Sequence, residues 1–114
     1  MADIQYVRVW RLKRGATTED VEALASSGVV EMQRWIPGVK RLALLRLQGE
    51  PTQYLMTLTF VSYEAYMYWR QVEDEAPHYW ERYASILTHW EQLCELVTEY
   101  IGELVQDTVI DKHM

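Results

Sequence analysis

The stretch Gln53-Tyr54-Leu55-Met56-Thr57-Leu58-Thr59-Phe60-Val61-Ser62-Tyr63-Glu64-Ala65-Tyr66 passes from one kind of periodicity to another within fourteen residues. Thr57, Thr59, Phe60 and Val61 favour extended backbone, and period two sends Tyr54, Met56, Leu58 and Phe60 to one side and Leu55 and Val61 to the other. Ser62 is suited to cap a helix that begins at Tyr63. A strand over Gln53 to Val61 followed directly by a helix is therefore expected, and the strand is apolar on both faces. Upstream, Gly49-Glu50-Pro51-Thr52 supplies a turn and Val39 to Leu47 a partner strand, so the two should form an antiparallel hairpin. Leu42, Leu44, Leu45 and Leu47 would also suit a helix, which leaves this partner less secure than the strand it meets.

Ile4 to Leu12 reads as a strand of alternating Ile, Tyr, Val and Trp, broken by Lys13-Arg14-Gly15-Ala16. Thr17, the acidic pair Glu19 and Asp20, and apolar residues from Val21 to Ile36 at helical spacing predict a helix of about five turns. It stops before Pro37-Gly38, because proline disfavours the α conformation in the residue preceding it. Beyond Ser62, the helix carrying Tyr63, Tyr66, Met67 and Trp69 is expected to end in Glu73-Asp74-Glu75, with Pro77 in the first turn of another helix. From Tyr83 to Val105 apolar residues keep a 3.6-residue period, yet Gly102 and the β-branched residues between Val97 and Ile110 argue for a closing strand, placed at roughly 99 to 107.

The 114 residues carry 17 acidic against 11 basic side chains, for a net charge of −6. Residues 1–114 are expected to form one domain, and 49% hydrophobic residues suffice for a core. An acidic balance repels phosphate, so neither nucleic acid nor a membrane surface is an expected partner. No apolar run reaches the ~20 residues of a membrane span. The start Met1 to Trp10 lacks signal-peptide order and Cys94 is alone, so a reducing cytoplasm is the expected location.

Strand, helix, strand, strand, helices, strand is the split βαβ order of an α+β, ferredoxin-like domain: a four-stranded antiparallel sheet with helices on one face. The other face would leave several apolar residues in water at about 25 cal/mol per Å². A second copy packed sheet to sheet is the simplest cover, so a homodimer is expected. The strand Tyr6 to Leu12, the helix ending in Trp35-Ile36-Pro37-Gly38-Val39, the hairpin, and Phe60-Val61-Ser62-Tyr63-Glu64-Ala65-Tyr66 with Trp69 after it resemble the dimeric α+β barrel proteins, in their antibiotic-biosynthesis-monooxygenase branch. These motifs, over about residues 4 to 90, are structural ones. The family's last strand, often exchanged across the dimer, would be Tyr100 to Gln106.

The resemblance implies a small-molecule oxidoreductase: a cofactor-independent monooxygenase or cyclase acting on aromatic, polyketide-like metabolites in a pocket between sheet and helices. Such a pocket needs aromatic walls and one or two polar groups to bind or deprotonate a phenol. Trp10, Trp35, Tyr66, Trp69, Trp80 and Tyr83 are the substrate-binding candidates, with Tyr63 and Tyr79 as further aromatics, although such rings serve equally as ordinary core. His78, expected at a helix start beside Tyr79 and Trp80, is the candidate base, and Arg8 the candidate anchor for a carboxylate or phenolate. Arg8 and Arg11 lie on opposite faces, and the sequence leaves open which faces inward. The alternative is a non-catalytic small-ligand binder or dimerisation module. A haem-degrading branch pairs a helical tryptophan with a histidine about ten residues on and an asparagine in the first strand; Trp69 and His78 come near that spacing, but the chain has no asparagine. His89 and Cys94 make no metal motif, so no metal is expected, and the resemblance implies no other cofactor. Glu73, Asp74 and Glu75 read as a solvated run, since neighbours on a helix do not face one another.

Overall fold

The computed structural model describes residues 2–111. Strand β1 (Ile4–Leu12) leads into α1 (Thr18–Leu24), a π-helical segment (Ala25–Val29) and α2 (Val30–Arg34). The hairpin β2 (Val39–Arg46) and β3 (Gln53–Phe60) follows, then α3 (Tyr63–Tyr79), α4 (Glu81–Leu93) and β4 (Cys94–Glu103). The four strands form one antiparallel sheet in the order β2-β3-β1-β4, the split βαβ topology that the element order implies. Thr17 accepts a hydrogen bond from the Asp20 amide and Ser62 one from the Ala65 amide, so both expected caps form.

Register builds two faces in rows across the sheet. One row is Leu44, Met56, Arg8 and Glu99; its neighbours are Leu42, Leu58, Tyr6 and Ile101, and Arg46, Tyr54, Trp10 and Leu96. This face meets the helices, and Tyr6, Trp10, Tyr54, Met56, Leu58 and Phe60 are buried there with Trp69, Trp90 and Ile36. Trp69 is wholly buried, a burial worth roughly 5 kcal/mol for a side chain of that size. The opposite face carries Leu45, Leu55 and Val9 in one row and Ala43, Thr57, Val7 and Tyr100 in the next. Leu45 and Tyr100 are 58% and 61% exposed there, while Val7, Val9 and Leu55 are half-buried by their neighbours.

Two expectations need correction. Helix α3 does not end at the acidic run but continues through Pro77 to Tyr79. Pro77 forgoes one amide hydrogen bond and crowds the carbonyl four residues back, and the helix stops three residues later where Trp80 turns extended. His78 therefore sits in the last turn of α3, not at a helix start. Strand β4 begins at Cys94 rather than near 99 and ends at Glu103 rather than 107. The free edge of β1 decides this, because Leu12 to Ile4 offers backbone groups that Cys94 to Glu103 pair, with a bulge between Val9 and Trp10. The pairing is within the chain, whereas the resemblance suggested exchange.

Gly28 and Gly38 mark close approaches. A Cβ on Gly28 would lie 3.1 Å from Ile86 Cγ2, which brings the π-helical segment against α4. Gly38 has φ +91°, and a Cβ there would lie 2.6 Å from Ala65 Cβ on α3. Gly38→Ala is expected to destabilise the fold by about 2 kcal/mol or more, combining left-handed strain with overpacking. Gly102→Ala, with open space around it, should fall within about 0.5 kcal/mol in the same urea titration; equal midpoints for the two variants would refute the packing role of Gly38.

Candidate functional site

The even register of β1 puts Arg8 between Tyr6 and Trp10 on the helix-covered face. A guanidinium there cannot be left unpaired, since desolvating a charge costs several kcal/mol. Helix α3 supplies the partner: Arg8 Nη2 donates to Glu73 Oε1 at 2.7 Å, and the two side chains are only 15% and 18% exposed. Arg8 Cζ also stands 4.8 Å from the ring centre of Tyr6, 5.3 Å from Trp69 and 5.9 Å from Trp10, so three rings surround the cation. Around it, Tyr6 Oη donates to Glu99 and accepts from Arg70 Nη1 at 2.8 Å, and Trp69 Nε1 donates to Gln33 Oε1 at 2.7 Å. Arg11, on the other face, makes an exposed pair with Glu95, which settles the phase that the sequence left open.

Burial lowers the affinity of Arg8 for its proton, but the charge and hydrogen bond of Glu73 and the contact with Tyr6 outweigh it, so its pKa stays raised. Burial raises the pKa of Glu73, and the Arg8 charge and hydrogen bond only partly pull it back. The Tyr6 phenol is raised, first by burial and then by its bond to Glu99. Burial also pushes the Cys94 thiol up to about 11, so it remains protonated at neutral pH.

Arg8, Trp10, Glu73 and Leu87 line two adjoining spaces. The inner one, between sheet and helices, holds about 30 Å³, enough for a water molecule. The outer one is an open cleft of about 550 Å³, bordered further by Lys13, Asp74, Pro77, Glu91, Cys94 and Leu96. Arg8 Nε and Trp10 Nε1 are buried and have no hydrogen-bond partner among the described residues. The cleft is thus bordered by the Arg8 guanidinium, whose Nε also lies 3.9 Å from Glu99 Oε2, and by one carboxyl group of raised pKa.

The sequence candidates divide between places. Arg8, Trp10 and Trp69 come together, with Tyr66 packed behind, 6.3 Å from the Trp69 ring centre and 5.5 Å from Tyr6. Trp35, Trp80 and Tyr83 instead border a separate space of about 330 Å³ that shares no lining residue with the Arg8 cleft. His78 is exposed and lines neither, and His89 is exposed on α4. His113 lies outside the described residues. Trp69 is buried while His78 faces water, so the pair that a haem-degrading branch would need is not assembled, and the residues present do not fit that cofactor. Among the described residues no group of three His, Cys, Asp or Glu side chains is placed to hold a metal, and no helix is long and apolar enough to cross a membrane. Sequence reasoning missed Glu73, treating it as one of three solvated acids. The signal was present: Glu73 stands four residues after Trp69 and therefore on the same helical stripe.

No family model and no curated protein matches the chain. Solved structures do. SnoaB, a cofactor-independent oxygenase from Streptomyces nogalater, is 14% identical, with 98% of this chain and 100% of that one covered and a TM-score of 0.63. A candidate antibiotic biosynthesis monooxygenase from Bordetella bronchiseptica is 18% identical over 93% of this chain and 100% of its own, with a TM-score of 0.70. Hydroxynitrile lyase from Passiflora edulis is 10% identical over 95% and 98%, with a TM-score of 0.64. The chain shares the α+β, ferredoxin-like fold of these antibiotic-biosynthesis-monooxygenase-like structures.

Because the folded-state pKa of Glu73 is raised, the folded protein holds that proton longer than the unfolded chain does. Stability from this group is full below the ordinary glutamate pKa and is lost as pH rises through the folded value. In urea titrations across that window, wild type should lose stability with rising pH relative to Glu73→Gln, whose side chain stays neutral at every pH as protonated Glu73 does below the window. A pH-independent difference between the two would show that burial does not dominate at Glu73.

Proposed function

We propose that the Arg8 cleft takes a small phenolic, polyketide-like aromatic compound and oxidises or cyclises it with no bound cofactor. The observation that supports this most is the half-closed Arg8–Glu73 pair, set among the Tyr6, Trp10 and Trp69 rings at the inner end of a ligand-sized cleft. A phenol near pKa 10 gives up its proton to an ordinary carboxylate at a cost of about 8 kcal/mol, some six pKa units. Two features narrow that gap. Burial strengthens Glu73 as a base, and the Arg8 guanidinium stabilises the phenolate it forms. The electron-rich phenolate is then the reductant for dioxygen or the nucleophile for ring closure, so the protein need only bind, orient and hold the proton on a Glu73 oxygen. That SnoaB, on the same fold, is a cofactor-independent oxygenase supports oxidation as the reaction. In this reading Arg8 binds, Glu73 replaces His78 as the base, and Trp10 and Trp69 form the walls.

A binder that performs no chemistry is the second reading. The 30 Å³ inner space favours it, because a ligand would have to lie largely in the open cleft, in contact with water. Polyhydroxylated two- and three-ring aromatics separate the two. Saturable binding accompanied by oxygen uptake is expected, with turnover in Glu73→Gln lowered at least 100-fold and affinity within a few-fold, as loss of a general base requires. Arg8→Met should weaken binding at least tenfold. Binding without consumption of oxygen or substrate selects the binder, and no binding by any member of the panel removes both readings.

The reading further takes the protein as a cytoplasmic homodimer closed through the free sheet face. Leu45, Leu55, Val9, Val7 and Tyr100 form a continuous apolar strip there, too large to leave in water without cost. Light scattering should report twice the 13.5 kDa chain mass at micromolar concentration, and Leu55→Glu should return it to one chain. A wild-type protein at 13.5 kDa rules out this dimer.

A further inference from the structure

The inner space beside the Arg8–Glu73 pair is too small for an aromatic ring. It holds about 30 Å³, the share of about one water molecule in the liquid. Val29, Met32, Met56, Leu58 and Leu87 give it aliphatic and thioether walls, and the Trp10 and Trp90 rings, edge to face at 5.7 Å, border it. Among its polar side chains, Arg8 and Glu73 are bonded to each other, and Gln33 Oε1 accepts from Trp69 Nε1. The recess shares Arg8, Trp10, Glu73 and Leu87 with the open cleft. A molecule held in it therefore lies next to a ligand seated in the cleft, with the guanidinium charge common to both.

We propose that this recess holds dioxygen, the second substrate of the oxidation proposed above, on which reading the inference rests. A small, uncharged, apolar gas is better placed against aliphatic and thioether walls than in water, and the volume admits little more than two heavy atoms. The ring of the phenol then occupies the outer cleft and the gas the inner recess. The phenolate passes one electron to dioxygen, leaving a phenoxyl radical and superoxide. The new negative charge appears beside Arg8, so the guanidinium stabilises what is formed more than what is bound. Radical and superoxide combine in a carbon–oxygen bond, and the proton that Glu73 took from the phenol passes to the outer peroxide oxygen. Phenol and dioxygen thus give a hydroperoxide with no other oxidant or reductant. The rival occupant is a water held on Arg8 Nε and Trp10 Nε1, which are buried and have no hydrogen-bond partner among the described residues.

NMR of the intact protein labelled at its methionine methyls, under dissolved dioxygen, tests the occupant without turnover. Met32 and Met56 line the recess and are 6% and 5% exposed, while Met67 stands apart from it on α3 and is 50% exposed. Paramagnetic dioxygen is expected to speed relaxation of the Met32 and Met56 methyls at least twofold more than that of Met67, whereas a gadolinium chelate in the solvent should act on Met67 alone. Val29→Ile, which adds one methylene to the wall, should abolish the excess. With a phenol that is turned over, the same variant should raise KM for dioxygen at least fivefold and leave phenol affinity, and kcat at saturating dioxygen, within twofold; a general loss of structure would not split them. An effect at Met32 and Met56 no greater than at Met67 overturns the proposal, as does an excess that survives Val29→Ile, an unchanged KM for dioxygen, or Overhauser contacts from both methyls to a long-lived water. Failure of every phenol to be oxidised removes the functional reading and with it dioxygen as a substrate, while the methyl relaxation separately decides whether the recess takes the gas.

Discussion

The phase of β1 governs this molecule. Its period-two alternation sends Tyr6, Arg8 and Trp10 to the face the helices cover, so one full charge enters an otherwise aromatic layer. An unpaired guanidinium in that layer would offset much of what burying its neighbours contributes. Helix α3 must therefore deliver a carboxylate to it, and the four-residue step from Trp69 to Glu73 does so while the tryptophan fills the space beside Tyr6 and Phe60. The entry of α3 is set in turn by the Ser62 cap and by Gly38, whose missing Cβ lets Ala65 close in. A slip of one residue in β1 would place Val7 and Val9 inside and three polar or amphipathic side chains outside. Pairing and packing thus demand the same register.

Much of this was legible in the sequence because local and long-range preferences agree there. The strand over 53–60, the turn before it, the helix stop at Pro37-Gly38 and both side-chain caps are each dictated by neighbouring residues. The two elements misjudged are those where distant partners decide. Period three-and-a-half and period two coincide at Ile101 and Val105, and only the unpaired edge of β1, some ninety residues earlier, makes Cys94 to Glu103 extended. Pro77 is a helix breaker in isolation, yet α3 runs only two residues past it before Trp80 turns extended. Reading it as a new helix start also rotated the assignment of everything around it: His78 was turned toward a cleft it does not line, and Glu73 was turned toward water. The aromatic candidates fall in two separate places, and the sequence had no means of dividing them, because the division depends on which flank of α3 each one meets.

Fold alone leaves the chemistry open. Proteins of this architecture include a cofactor-independent oxygenase and a hydroxynitrile lyase, at 14% and 10% identity to this chain. What distinguishes one activity from another is the set of polar groups placed against the inner sheet face, here an arginine on β1 and a glutamate on α3. Burial raises the Glu73 pKa while Arg8 draws it back, and a ligand bearing negative charge beside Arg8 would weaken that restraint. In the proposed reaction, phenolate formed beside Arg8 would in this way help to hold the transferred proton on Glu73.

Helix α3 separates two environments by simple geometry. Trp69, Glu73 and Pro77, at steps of four, border the ionic cleft, and Tyr68, Val72, Ala76 and Tyr79, at steps of four, four and three, border the neutral one. The stripes are displaced by one residue, or about 100° around the helix axis, so a single element presents a charge to one side and aromatic rings to the other.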